Sequence, residues 1–291
     1  MSARRQIDKR VHGLREVREI MNAMKNLALL ESRKVSKSLA VQRETRRHLE
    51  HVSASFLSAY PQPLTPTGTA NVIVVLGAER GFCGEYNKRL LAALENHLQG
   101  QSESVGVVLV GHRLATSAQL DIKNVVRIAG ATVSEEIPDA LSRIANALTN
   151  RHTELAPTQV AVIRHTSDLG PPVVEPLLAQ FEPTESTDDA IHVSPELTLE
   201  ADEFFAGLVE AYLMARLREM LGTALTAESL YRVQHLNGAI RHLDRRTEEL
   251  TRRSRMLRQE ETIEEIEVLL LGSDLSAVQP LAEAHPARES R

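Results

Sequence analysis

The chain has no tryptophan, one cysteine and only nine aromatic residues, four tyrosines and five phenylalanines. With Cys83 alone, no intrachain disulfide and no cysteine-based zinc site can form, and a reducing compartment is the simplest fit. So few aromatics leave the core to aliphatic side chains and exclude a base-stacking platform interleaved with cations. No apolar run approaches the ~20 residues that a membrane span needs, and the N-terminus lacks the apolar stretch of a secretory signal. The arginine-rich opening has the charge of a transit peptide, but Asp8, Glu16 and Glu19 enter early and a helical pattern begins at once, so a mature start is expected. The eleven histidines show no metal-ligand spacing: His48 with His51 and His235 with His242 read as solvated helix positions, and neither metal nor cofactor is expected. A formal net charge of −5 and a pI near 6.1 argue against a whole-chain nucleic-acid binder.

Proline is missing from both ends. Neither Gly nor Pro occurs from Leu14 to Tyr60, and no Pro occurs from Glu196 to Leu271, where only Gly207, Gly222 and Gly238 interrupt good helix formers. At 1.5 Å per residue these are helices of ~70 and ~110 Å, several times the usual length. In the first, Ile7, Val11, Leu14, Val17, Met21, Met24 and Leu27 step by three or four, and Val35, Leu39, Leu49, Val52 and Phe56 resume the stripe with Gln42 and Thr45 in the gap. In the second, Leu208, Tyr212, Ala215, Leu221, Leu225, Leu236, Ile240, Leu243, Leu250, Leu257, Ile263, Ile266 and Leu270 form a less regular seam. Two narrow apolar faces are buried most economically against each other, in an antiparallel, left-handed coiled coil; a helical bundle is the alternative.

Between the ends the period changes. Residues 71–76, 104–110, 124–128 and 159–163 are short, β-branched and bounded by Gly or polar residues, and read as buried strands. Helical patterns at 87–98, 113–120 and 134–148 alternate with them, the last opened by Ser134, Glu135 and Glu136. This alternation predicts a parallel sheet covered on both faces. The expected organisation is a first helix over 1–60, a linker over 61–69, a Rossmann-like α/β domain over 70–182, a linker over 183–196, a second helix over 197–272 and a polar tail over 273–291 expected to be disordered. Proline-rich flanks at Pro61, Pro63, Pro66 and at Pro171, Pro172, Pro176, Pro183 and Pro195 mark semi-rigid connectors.

The one candidate chemical motif, Gly77-Ala-Glu-Arg-Gly-Phe-Cys-Gly84, follows the first strand and opens a helix. Such a turn can cradle phosphate on its N–H groups. The glycine spacing is not the dinucleotide fingerprint, no Lys-Ser/Thr follows, and Glu79 and Glu85 repel an anion, so tight strand-to-helix packing competes with that reading. Arg80 near Cys83 is able to lower a thiol pKa; burial of a small side chain is the competing role.

Charge is banded along the ends. Residues 1–60 hold 13 Lys/Arg against 6 Asp/Glu, and residues 241–258 hold seven arginines against Asp244, Glu248 and Glu249. Glu260, Glu261, Glu264, Glu265 and Glu267 then reverse the sign. Such runs are commonly solvated faces; as functional bands they suit phosphates or acidic loops of a surrounding protein.

Several segments resemble the gamma subunit of F-type ATP synthases. Ile20-Met-Asn-Ala-Met24-Lys-Asn-Leu-Ala28 with Arg33-Lys34 is similar to the family's opening signature, and Arg80-Gly81-Phe82-Cys83-Gly84-Glu85-Tyr86-Asn87 to its Arg-Gly-Leu-Cys-Gly-x-x-Asn motif. Glu228 and Arg232 match an acidic and a basic position four apart, and Arg258-Gln259 with Glu265 and Gly272 fits the last signature. The likeness covers about 270 residues. It implies a central shaft turning inside three alpha and three beta subunits, with the α/β domain against the epsilon subunit and the membrane c-ring, on the cytoplasmic face of a bacterial plasma membrane. Ion flow (H+ or Na+) would be coupled to ATP synthesis or hydrolysis, with the chemistry in the partners and none in this chain. The resemblance carries alpha/beta contact roles to Met24, Arg258, Gln259, Ile263 and Glu265, and a structural role to Arg80, Gly81, Cys83, Gly84 and Asn87. It sets Met24 near Arg258 and Gln259; seam packing for Met24 and solvation for Arg258 are the competing readings. Departures point to a divergent, N-type-like branch: Thr262-Ile263 replaces Ile-Thr, so Ile263 loses a hydroxyl; Ser254-Arg255-Met256 replaces Tyr-Asn-Lys; Ile240-Arg241-His242 replaces Thr-Asp-Asn; and Thr226-Ala227 replaces Ala-Ser. A coiled-coil adaptor with an α/β cap and a phosphate-binding α/β enzyme remain as other classes.

Overall fold

The computed structural model describes residues 3–60, 70–99, 105–118, 124–155, 157–178 and 197–276. The expected linkers at 61–69 and 183–196 lie outside the described residues, as does the tail beyond Ser276. Helix α1 runs Ala3–Ala59 and helix α5 Ala201–Ser276; between them come β1 (Ala70–Leu76), α2 (Tyr86–Leu98), β2 (Gly106–Val110), α3 (His112–Ser117), β3 (Val125–Ile128), α4 (Ile137–Leu155), β4 (Pro157–Arg164) and β5 (Val173–Pro176). The chain divides into two compact units inside both long helices, between Met21 and Asn22 and between Gly238 and Ala239.

The larger unit is built on a five-stranded sheet of order β3-β2-β1-β4-β5. The first four strands are parallel, as the β-branched runs predict, with Val74 opposite Val108 and Val162. The fifth corrects the expectation of an all-parallel sheet: β5 pairs antiparallel with β4, Val174 opposite Ile163 and Pro176 opposite Ala161. Proline-rich sequence hid this strand, yet an edge strand tolerates proline because one of its sides owes no N–H to the ladder.

Alternation sends Val72, Val74, Leu76, Val108, Val110 and Val162 into one core with α4, α1 (Val35, Leu39) and α5 (Leu217, Met220, Leu221, Ala224, Leu225). Ile73, Val75, Val107, Leu109 and Ile163 form the other core with α2, Leu114, Ala227 and Tyr231. Helix α5 therefore serves both cores, and every residue from Met220 to Ser229 is buried. Its hydroxyls survive burial by bonding back one turn, Thr223 to the Glu219 carbonyl at 2.8 Å and Thr226 to the Gly222 carbonyl at 2.9 Å. Helix α1 crosses this segment closely: a Cβ on Gly222 would stand 3.0 Å from Leu39 Cδ2.

The apolar stripe of α1 departs from its expected course. Leu27 is 66% exposed, while Ala28 and Ser32 are buried. A helix drifts by ~20° per heptad against a strict 3.5-residue repeat, and the face turns from Met24 onto Ala28 rather than Leu27. The start of α4 also differs in detail. A single 3-10 turn, Ser134–Glu136, precedes it, and the Ser134 side chain caps nothing. Glu31 of α1 instead accepts the Ser134 N–H at 2.7 Å, and Glu136 accepts the Thr132 N–H at 2.7 Å.

Where α3 follows β2, Gly111 has φ 113°, and an added Cβ would lie 2.8 Å from the carbonyl oxygens of Gly77 and Ala78. Gly111→Ala is expected to cost about 2–4 kcal/mol in denaturant unfolding, through strain at positive φ and overpacking together.

The smaller unit pairs the first turns of α1 antiparallel with the distal half of α5. Arg4 bonds Glu261 at 2.7 Å, Ser254 bonds Asp8 at 2.6 Å and Arg18 bonds Asp244 at 2.5 Å. Beyond Glu261, α5 continues to Ser276, past the first described turn of α1. Ile263, Ile266, Val268, Leu269, Leu270 and Leu271 there are all at least 50% exposed.

Candidate functional site: the glycine turn and its clamp on the long helix

In a sheet of this winding the crevice at the carboxyl ends of β1 and β4, where strand order reverses, is the usual ligand position. Here the chain's own side chains fill it. After β1 the turn passes through Phe82 (φ 64°) and Gly84 (φ 58°) before α2 begins at Tyr86. Glu228, on the fully buried stretch of α5, accepts the N–H groups of Glu79 and Arg80, each at 3.3 Å. A carboxylate of the protein itself thus takes the donors that a phosphate would need. Burial pushes the Glu228 carboxyl up, while Arg232 and the two N–H groups act against that shift. Arg232 forms a short ion pair with Glu228 and donates Nε to the Gly81 carbonyl at 3.1 Å.

The remaining motif residues tighten this clamp. Asn87 Oδ1 accepts the Ala78 N–H at 2.9 Å, closing the turn on the helix it opens. Tyr86, fully buried, donates its hydroxyl to the Ala224 carbonyl of α5 at 3.2 Å. His165, after β4, lies 4.5 Å from the Tyr86 ring and 4.9 Å from the Tyr231 ring, and its Nε2 lies 3.1 Å from the Tyr86 carbonyl. Tyr231 donates to the Leu169 carbonyl at 3.2 Å, and Arg89 donates to the Tyr231 hydroxyl at 3.2 Å. Glu79 does not point at an open anion site either. Its carboxylate accepts the His112 N–H at 2.9 Å and the Gly130 N–H at 2.7 Å, tying the ends of three neighbouring strands together.

Cys83 resolves the two readings of its thiol. The Arg80 guanidinium turns away to Thr132 Oγ1, and burial, reinforced by the nearby Glu228 charge, pushes the Cys83 thiol up to about 12. The thiolate is the reactive form, so at pH 8 the folded chain is expected to react with a maleimide about a thousandfold more slowly than the unfolded chain, whose thiol pKa is ~8.5. Equal rates would mean that the turn opens freely.

The sequence-predicted residues thus fall into two sets. Arg80, Gly81, Cys83, Gly84 and Asn87 come together at the clamp, joined by Glu228 and Arg232, as well as by Tyr86, His165 and Tyr231, which motif reading did not single out. Arg258, Gln259, Ile263 and Glu265 lie exposed on the distal part of α5. Arg258 sits between Ser254 and Glu261, which bond Asp8 and Arg4 in the first turns of α1, while Met24 is half-buried on the part of α1 that belongs to the larger unit. No group of three His, Cys, Asp or Glu able to hold a metal occurs among the described residues.

These features define a class: an α/β domain whose ligand crevice is closed by a long helix of the same chain. The family model described as ATP synthase matches residues 3–274. Gamma chains of ATP synthase are among the similar proteins. That of Clostridium perfringens (strain SM101 / Type A) is 21% identical over 275 residues, covering 92% of this chain and 96% of the relative. That of Heliobacterium modesticaldum is 26% identical over 118 residues, 39% of this chain and 40% of the relative. Among solved structures, a chain of the Euglena gracilis mitochondrial ATP synthase, in the OSCP, F1 and c-ring assembly, superposes with a TM-score of 0.65 at 13% identity, over 98% of this chain and 99% of that one. A chain from the central stalk and c-ring of the Tetrahymena thermophila enzyme gives 0.53 at 16% identity, over 76% and 99%. The chain belongs to the gamma-chain family of ATP synthases.

Proposed function

We infer that this chain is the central-stalk rotor subunit of an F-type ATP synthase, turning inside three alpha and three beta subunits, with its α/β domain toward an epsilon subunit and a membrane c-ring. One observation beyond family membership supports the reading: past Glu261, Val268, Leu269 and Leu271 of α5 are exposed on successive faces. A contiguous run of exposed apolar side chains marks an interaction surface, and a ring of other subunits would cover it. Met24 and the exposed Arg258, Gln259, Ile263 and Glu265 are the residues we assign to alpha/beta contact. No helix among the described residues is long and apolar enough to cross a membrane, and peripheral attachment at the cytoplasmic face through the c-ring is the placement we propose.

The mechanism follows from differential contact. A shaft shifts the three catalytic sites only if each angle favours a different state at each site, because an equally favourable contact moves no equilibrium. Bands of opposite charge along the helices and exposed apolar side chains near the end of α5 provide that asymmetry. We assign hydrolysis itself to the partners; in this chain Glu228 already takes the turn N–H groups of Glu79 and Arg80. Co-expression with matching alpha and beta subunits should yield a complex whose ATPase depends on residues 254–291. Failure to assemble, or indifference to that deletion, would overturn the reading.

A further inference from the structure

Apolar packing between a sheet and a helix resists separation but is non-directional, and packed surfaces can slide by small shear movements. Resistance to twist needs directional contacts. In the larger unit one partly buried ionic chain links two strands of the sheet to both long helices. Arg164, at the end of β4, donates Nη2 to both oxygens of Glu175 on β5, at 3.0 and 3.1 Å. Arg216 of α5 donates to the same carboxylate at 2.9 Å, and its other terminal nitrogen lies 3.8 Å from Glu219, one turn on. Glu219 in turn accepts from Arg46 of α1 at 2.5 Å and lies 3.5 Å from Arg43, and Arg46 also pairs closely with Glu50.

We propose that this chain, Arg164–Glu175–Arg216–Glu219–Arg46, is the joint that passes torque from the α/β domain to the two long helices, with Glu175 as its central positioning residue. Other polar links among the described residues join the α/β domain to one long helix at a time: Glu31 and Lys34 to α1, Glu228 and Tyr86 to α5. This one ties the sheet edge to α5 and α5 to α1. It also explains why an antiparallel strand is appended to a parallel sheet, since β5 carries the carboxylate that both arginines need. Glu175 has no substitute. Arg164 is 8% exposed, and its Nε and Nη1, like Nε of Arg216, have no other partner. Such a joint is worth little as stability, because buried ion pairs are often replaceable by apolar side chains; what it adds is a fixed angle.

The functional consequence rests on the rotor reading above; the joint itself does not. In the full chain, Glu175→Gln should speed hydrogen exchange in β5 and in the α5 turn around Arg216 about tenfold, while Arg164→Met/Glu175→Leu/Arg216→Met should restore protection. In the assembled complex both variants should keep ATP hydrolysis within about twofold yet lose about threefold or more of ATP-driven ion pumping. Unchanged exchange in Glu175→Gln would overturn the joint, and full pumping in the apolar triple variant would reduce it to a packing element. A native complex that pumps nothing would count against the rotor reading, with the exchange result still deciding the joint.

Discussion

Glu228→Ala should lower the stability of the chain by about 3–5 kcal/mol in denaturant unfolding, the largest loss expected from a single polar substitution here. The substitution removes the carboxylate that neutralises Arg232, itself 8% exposed, and strips two turn N–H groups of their acceptor. Leaving a buried guanidinium unpaired is the costly part. Glu228→Gln keeps an acceptor but not the charge, so its cost should be about 1–3 kcal/mol. The double variant Glu228→Leu/Arg232→Met should be closer to native than Glu228→Ala, because neither charge is then left alone. If Glu228→Ala were as mild as a surface substitution, within about 0.5 kcal/mol, the clamp would be incidental to the fold.

The second large effect runs the opposite way. Replacing Ile263, Ile266 and Leu270 together by Gln should change the stability of the isolated chain by about 0.5 kcal/mol or less, since all three are solvent-exposed in it. In the complex the same change should weaken the hold on the shaft tip severely. Each such side chain contributes about 1.5–3 kcal/mol when fully covered, so losing three is expected to reduce ATP-driven pumping by at least about tenfold. A destabilised chain with normal pumping would reverse the assignment, making the tip a part of this chain's own core. The contrast with Glu228 separates residues that hold the chain together from residues that engage other subunits.

Much of this was legible in the residues. The lack of proline gave both long helices, and β-branched runs gave four strands, because each rests on local periodicity. What stayed hidden depended on distance in sequence. Nothing near Gly77–Gly84 reveals that its donors are taken by Glu228, 149 residues away from Glu79. The motif therefore read as strand-to-helix packing, with a phosphate cradle as the weaker alternative, and neither reading named its grip on α5. Strand β5 was concealed by Pro171, Pro172 and Pro176, whose effect reverses at a sheet edge. The burial of Ala28 and Ser32 in place of Leu27 reflects the drift of the buried face against a 3.5-residue repeat, which accumulates over turns and leaves no local signal. The register of the first turns of α1 on the distal part of α5 came only from pairs such as Asp8 with Ser254, since periodicity gives the face of a helix but not the partner opposite.

Rotation of this chain within its complex can be watched directly. With the beta subunits of the assembled complex fixed to a surface and a bead attached to the α/β domain, ATP should drive rotation in one direction with three dwells per turn, one for each catalytic site. ATP hydrolysis with the bead stationary, or with only undirected fluctuation, would contradict the account.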